Sequence, residues 1–381
     1  MRAGRSIRAV AAQFGVSVGA VAYWVAHARG RRLDRMSFAN DKPGRPWNRI
    51  SAKLESRILW VRASLRERSV LGEYGPDAIG LALREQNAHA PVPGRATIAR
   101  VLARRGVLDG VHRQRRPAPP KGWYLPEVAA GEAELDSFDF IEDLKIATGP
   151  LVSVLTAMSL HGGLPDAWIM APVRAHTTVD ALLERWRRDG LPDYAQFDND
   201  PVFQGTHRFA NSVGRVSRLC LALGVTPVFA PPREPGFQNA IEAFNGLWQS
   251  KVWGRHRFPD LAALKTVSAA YIGAYRVKTA PRREAAPSRR PVPRGFRLDL
   301  DAPLRGTMIF LRRSDERGAV HLLGKTFIAD KHWVHRLIRC EVDFTRRRMR
   351  FYALRRRDPD DQPLLRTLPY RRSDTPFRGS P

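Results

Sequence analysis

Apolar residues recur along this chain with two periods, close to 3.6 and close to 2, and the changes of period mark out its elements. Over residues 7–28 the pattern predicts two short helices around Gly15-Val16-Ser17, with Val10, Phe14, Val16, Val21 and Trp24 where a helix-turn-helix buries its contacts. Ala11 is small where the helices would cross, Gly15 frees the backbone for the turn, and Ser17 can cap the second helix. A second helical unit follows over 51–107. Leu54, Ile58, Val61 and Leu65 form one stripe, a helix starts at Pro76, and Ile98, Val101 and Leu102 mark a third helix over 97–105. Two stretches rich in Pro and poor in apolar residues, 115–121 and 279–297, read as extended connectors.

Between the connectors the period alternates. Strands are predicted over 133–141, 151–160 and 167–173, the last two joined as a hairpin at Gly162-Gly163. A helix over 178–188 places Val179, Leu182, Leu183 and Trp186 at helical spacing, and a strand follows at 194–197. The next helix carries Phe209, Val213, Val216, Cys220 and Leu223 on one face, before a strand at 225–229 and helices over 237–276. This order, βββαβαβα, is that of the ribonuclease H-like fold, a mixed five-stranded sheet with helices. Short β-rich runs between 307 and 353 predict a small β-barrel. The expected layout is therefore a helix-turn-helix at 1–40, a second all-α DNA-binding unit at 48–114, an α/β core at 125–278, a barrel at 299–356 and a disordered basic tail at 357–381.

Charge changes the picture. The net charge is +27. Residues 1–125 hold 24 Lys/Arg against 8 Asp/Glu, residues 126–250 hold 9 against 16, and residues 251–381 hold 31 against 13. Basic flanks suit a polyanion, which they would bind by counterion release. An acidic centre repels that same polyanion unless metal cations sit among its carboxylates. Two cysteines far apart, Cys220 and Cys340, give no disulfide framework and fit a reducing compartment. No apolar run is long enough to span a bilayer, and Met1-Arg2-Ala3-Gly4-Arg5 does not open a signal peptide. A cytoplasmic, nucleoid-associated protein with no membrane partner is expected.

Three carboxylates fall on the predicted core at telling places. Asp136 lies in its first strand, Asp198 at the end of its fourth, and Glu242 one turn into the helix after its fifth. In such a fold these positions converge, and hard oxygen ligands select Mg²⁺ or Mn²⁺. Asp139, on the same strand as Asp136, and Asp200, beside Asp198, are the rival ligands. Gln238, Glu242, Asn245 and Gln249 form one polar face of the last helix pair, opposite Ile241, Phe244 and Trp248. The loop at 231–236 is expected to be mobile, and His161 and His176 to be structural.

The residues around these acids resemble a known family. Phe197-Asp198-Asn199-Asp200-Pro201-Val202-Phe203 is similar to the Asp-Asn-Gly-x-x-Phe motif of bacterial insertion-sequence transposases and retroviral-type integrases. Pro235-Gly236-Phe237-Gln238-Asn239-Ala240-Ile241-Glu242-Ala243-Phe244-Asn245 resembles their Pro-x-x-x-Asn-Gly-x-x-Glu-x-x-Asn motif, and Leu135-Asp136 resembles their first strand acid. Asp200 and Ala240 stand where the motifs carry Gly, and the interval between Asp198 and Glu242 is longer than the common one. The resemblance implies an enzyme of the DDE transposase type, cutting and joining DNA with two Mg²⁺ or Mn²⁺ ions held by Asp136, Asp198 and Glu242. It implies double-stranded DNA as partner, both the terminal repeats of an element and the target, and a homo-oligomer on that DNA. Expected DNA contacts are Ser17, Arg29, Arg31 and Arg32 in the first unit, Arg95 and Arg100 in the second, and Gln238, Asn239, Asn245 and Lys251 near the acids. The rival readings are a non-enzymatic DNA-binding protein derived from a transposase, and a ribonuclease H or junction nuclease.

Overall fold

A computed structural model describes residues 4–28, 50–86, 91–108, 121–147, 149, 151–205 and 210–371. α1 (Ile7–Phe14) starts at Ser6, whose hydroxyl accepts the Ala9 N–H at 3.2 Å, and stops at Gly15, whose φ of 64° is open to glycine at little cost. α2 (Val18–Ala28) is capped by Ser17, which accepts the Ala20 N–H at 3.1 Å, and turns 116° from α1. The crossing between the two is narrow. Ala11 and Val21 fill it, whereas Phe14 and Trp24, expected inside, are 68% and 45% exposed. Among the described residues no single helix is long and apolar enough to cross a membrane.

The second unit forms as α3 (Ala52–Arg68), α4 (Pro76–Gln86) and α5 (Arg95–Arg104), around Ile58, Val61, Ile79, Leu83, Ile98, Val101 and Leu102. Glu55 is buried in it and paired with Arg104 and Arg105. A short helix, α6 (Pro126–Ala129), leads into the core.

Strands β1 (Leu135–Lys145), β2 (Leu151–Ser159) and β3 (Pro165–Met170) run antiparallel in sequence, with Gly163 at a φ of 63° in the second turn. After α7 (Ala175–Asp189), β4 (Tyr194–Phe197) pairs parallel to β1. α8 (Pro201–Gln204) and α9 (Arg215–Ala222) precede β5 (Thr226–Phe229), parallel to β4. α10 (Asn239–Lys251) and α11 (Leu261–Glu284) close the core. The strand order β3-β2-β1-β4-β5 is compatible with the expected ribonuclease H-like core. Its two faces are covered separately. Phe138, Leu155 and Phe197 pack with Leu182 and Trp186 of α7 and Leu219 of α9, while Ile141, Val154 and Met158 pack with Ile241, Phe244 and Trp248 of α10 and Tyr271 of α11.

The second connector begins later than its Pro content suggests. α11 runs through Pro281 to Glu284, and Arg282 on its last turn donates to the Leu160 and His161 carbonyls, holding that turn on the core. The C-terminal region also departs from expectation. β6 (Thr307–Arg313) pairs parallel to β5, and β9 (Leu337–Asp343), β10 (Arg348–Ala353) and β11 (Leu364–Pro369) continue the ladder in the order β5-β6-β9-β10-β11. These strands thus lengthen the core sheet to nine strands instead of closing a separate barrel, and only the hairpin of β7 (Ala319–Leu322) with β8 (Lys325–Ile328) stands apart. The reason lies in β5: its free edge would otherwise expose unpaired backbone, and the apolar side chains Met308, Phe310 and Leu311 are buried once β6 covers it. Residues 364–369 belong to this sheet, not to a disordered tail; residues 372–381 lie outside the described ones.

Candidate active site

Side chains three apart on a strand point to opposite faces, so Asp136 and Asp139 cannot serve one site. Asp136 points toward α7 and is fully buried. Its carboxylate accepts Arg185 Nε at 2.9 Å and Nη2 at 3.1 Å, Arg289 Nη2 at 2.5 Å and Trp186 Nε1 at 3.3 Å. Burial alone would raise its pKa, but Arg185 and Arg289 hold it down to about 2. Arg185 also binds Asp166, which in turn takes Arg188 and Arg276. Asp136 is therefore consumed in a buried ion network, on the opposite face of the sheet from Glu242.

Asp139, the rival on the same strand, lies on the other face, where α10 packs. The parallel register sets Asp136 beside Ala195 and Ser137 beside Gln196, so the line of β1 continues to bring Asp139 beside Asp198. Asp136 is three residues, or about 10 Å of strand, short of that point. Asp139 faces α10, where Asn245 Nδ2 donates to its Oδ2 at 2.8 Å. Asn245 is held from behind, since its Oδ1 accepts the Thr156 hydroxyl at 2.7 Å. Burial, the Asp198 charge and, more weakly, Glu242 and Glu142 push the Asp139 carboxyl up to about 6, against the pull of the Phe140 N–H. Asp198 is raised too, by burial and by Asp200 and Glu142, although the Asp200 N–H bonds its Oδ1.

The other acids sort themselves by position. Asp200 caps α8, accepting the Val202 N–H at 2.7 Å, which gives it a local structural task and leaves Asp198 as the acid beside Asp139. Glu242 lies in the first turn of α10 with an exposed side chain. Among the described residues no three His, Cys, Asp or Glu side chains already stand close enough to hold one ion. At the C-terminal end of the parallel strands the charges of Asp198 and, more weakly, Glu242 both act on Asp139, so the three carboxylates lie in one region of the sheet. The donor set, all hard oxygen, fits Mg²⁺ or Mn²⁺.

The loop at 231–236, expected to be mobile, makes side-chain and backbone contacts with the C-terminal region. Glu234 pairs with Arg313, Arg356 Nη2 donates to the Pro235 carbonyl at 2.5 Å, and the Tyr124 hydroxyl donates to the Phe237 carbonyl at 2.9 Å. Phe237 is buried against Trp123 and Tyr124. Three of the residues expected to contact DNA make bonds within the chain, Ser17 while exposed and Lys251 while half-buried. Asn245 is buried against Asp139, Lys251 donates to the Gly72 carbonyl at 3.3 Å, and Ser17 caps α2. Gln238 is half-buried, while Asn239 is exposed. Arg95 is exposed beside Asp77, and exposed Arg100 bonds only its own helix. Arg29, Arg31 and Arg32 lie outside the described residues. The His161 Nε2–H donates to the Val128 carbonyl at 2.9 Å, away from the acids. Thr156 and Arg312 escaped the sequence reading, and Asn199 entered it only as part of the motif around Asp198. Only the period-2 alternation, which puts Thr156 on the face away from Leu155, could have pointed to the first.

No protein-family model matches the chain, and no curated protein matches it. Solved structures do show likeness. The catalytic core domain of BIV integrase is 20% identical, over 38% of this chain and 81% of its own, with a TM-score of 0.27. An intasome of simian T-cell lymphotropic virus in complex with the PP2A regulatory subunit B56 gamma is 14% identical, over 73% of this chain and 91% of its own, with a TM-score of 0.35. The HTLV-2 integrase catalytic core domain in complex with magnesium is 13% identical, over 42% and 87%, with a TM-score of 0.28.

Proposed function

We propose that this chain is a DNA-cutting and DNA-joining enzyme of the transposase or integrase type, with Asp139, Asp198 and Glu242 as its metal-holding carboxylates. The observation that carries the reading is that the Asp198 charge bears on Asp139 at one end of the sheet, both carboxyls pushed above their ordinary range, with the Glu242 helix packed over the same face. Two bound Mg²⁺ or Mn²⁺ ions would supply charge neutralisation and activation of the attacking oxygen at a phosphodiester. The chain's own residues hold the carboxylates apart and aimed: Asn245 fixes Asp139, and the Asp200 N–H fixes Asp198.

Double-stranded DNA is the substrate, drawn by the basic flanks and read at element ends by the α1–α2 and α3–α5 units. Arg95, Arg100 and Asn239 are the exposed residues assigned to contact it. Two ends must be handled together, so the working form is a homo-oligomer. The test is metal-dependent nicking of supercoiled plasmid and strand transfer on duplexes taken from the DNA flanking the gene. Glu242→Gln should keep duplex binding and lose cleavage, and cleavage retained by that variant refutes the assignment. One observation favours the rival, a DNA-binding protein without chemistry: the acids are not already closed around one point among the described residues. A gel shift with no metal-dependent cleavage on any flanking sequence would establish that rival.

A further inference from the structure

Arg312 sits on β6, in the segment expected to form a separate barrel, yet it is 8% exposed and reaches the end of the core sheet. Its Nη2 donates to Asn199 Oδ1 at 2.8 Å, and its Nη1 donates to the Ala230 carbonyl at 3.3 Å and the Leu311 carbonyl at 2.8 Å. Its Nε donates to the His321 carbonyl at 3.2 Å. Asn199 Nδ2 also donates to the Ala230 carbonyl, at 2.7 Å. Asn199 follows Asp198 directly, and Ala230 follows β5 and opens the loop that leads to Glu242.

All four partners of Arg312 are neutral, and no carboxylate lies against it among the described residues. A cation buried on neutral acceptors is a poor means of stabilising a fold, since an apolar side chain of similar size often does as well or better. Its geometry has a different consequence. The guanidinium fork spans the ends of β4 and β5 at the two points where the chain leaves the sheet toward Asp198 and toward Glu242. The next residue, Arg313, points to the opposite face and holds Glu234 in the same loop.

We propose that Arg312 is a positioning residue, through which the C-terminal strands set the Asp198 turn and the start of the Glu242 loop for metal binding. The proposal rests on the carboxylate reading above. Its test uses the full-length chain and Mn²⁺ alone as probe, with binding followed by electron paramagnetic resonance, beside plasmid nicking, duplex binding and thermal unfolding. Arg312→Met should keep the unfolding midpoint and duplex binding, weaken Mn²⁺ binding about 10- to 100-fold and slow nicking in step, the range set by loss of groups that orient ligands. Arg312→Lys, with one ammonium for the fork, should fall between. Asn199→Ala, which removes the side-chain acceptor of Arg312 without touching a charge, should give a similar loss, and the double variant should be no worse than either single one. Wild-type Mn²⁺ affinity in both single variants overturns the proposal while leaving the carboxylate reading intact. So does a loss that follows a fall in the unfolding midpoint and adds in the double variant. Absence of Mn²⁺ binding in the wild-type chain overturns both.

Discussion

Asp136 and Asp139 of β1 should respond in opposite directions to the same substitution. Asp136→Asn removes the charge that two arginines share in a fully buried setting. Its folded pKa, about 2 against 3.8 unfolded, means that the ion network stabilises the fold above pH 4 and that this contribution disappears as pH falls through 2. That difference corresponds to about 2–3 kcal/mol, and taking the Asp136 charge from Arg289, and from Arg185, which keeps Asp166, brings the cost to about 3–5 kcal/mol at neutral pH. For Asp139 the sign reverses. Its pKa of about 6 lies above the unfolded value, so ionisation costs the metal-free fold stability as pH rises from 4 through 6. The relief from Asp139→Asn is worth about 3 kcal/mol at most, the free energy of ionising a carboxyl held at about 6 instead of 3.8. Both carboxylate oxygens accept a bond, from Phe140 N–H and from Asn245, and the amide can keep only one of them. Losing the other costs about 1 kcal/mol. Urea unfolding at pH 7.5 in a chelator should therefore show Asp139→Asn about 1–2 kcal/mol more stable than wild type and Asp136→Asn several kcal/mol less stable. Adding Mg²⁺ should raise the midpoint of Asp136→Asn, in so far as it folds, and leave that of Asp139→Asn unmoved. Equal destabilisation by both, or a Mg²⁺ response lost at 136 and kept at 139, would refute the reasoning.

Two further outcomes follow from the same geometry. Asn245→Leu keeps the helix but strips Asp139 of its side-chain donor and the Thr156 hydroxyl of one of its two acceptors, so Mn²⁺ binding should weaken about tenfold or more while duplex binding is unchanged, and equal affinity would contradict the positioning assigned to Asn245. Cation binding requires the ionised carboxylate, and Asp139 is half-protonated near pH 6, so the Mg²⁺ concentration for half-maximal nicking should rise steeply below pH 6 and level off above pH 7; a flat profile from pH 5 to 8 counts against Asp139 as a ligand.

The elements of the core were legible because each is long and strongly periodic, and the hairpin at Gly162-Gly163 carries its own turn signal. The choice between Asp136 and Asp139 was legible in part. Motif likeness favours Leu135-Asp136, but strand alternation separates Phe138, which packs on α7, from Ile141, which packs on α10, and only Asp139 shares the latter face. Knowing which helix covers which face requires the tertiary arrangement. The basic partner of Asp136 was hidden for the same reason, since Arg289 sits in a connector that reads as solvent-exposed. The pairing of β6 with β5 left no trace in the local pattern: a strand that starts a new sheet and one that extends an old sheet have the same alternation. Arg312 and Asn199 meet across 113 residues, a separation at which periodicity says nothing.

The central claim is that one divalent-cation site lies among Asp139, Asp198 and Glu242. Crystals of the chain bound to a DNA duplex in Mn²⁺, measured for anomalous scattering at the manganese edge, test it most directly. Anomalous peaks should stand in contact with the Asp139 and Asp198 carboxylates, with Glu242 drawn in to the same ions and Asp136 still closed on Arg185 and Arg289. Manganese bound at Asp136, or peaks absent from this end of the sheet, would contradict it.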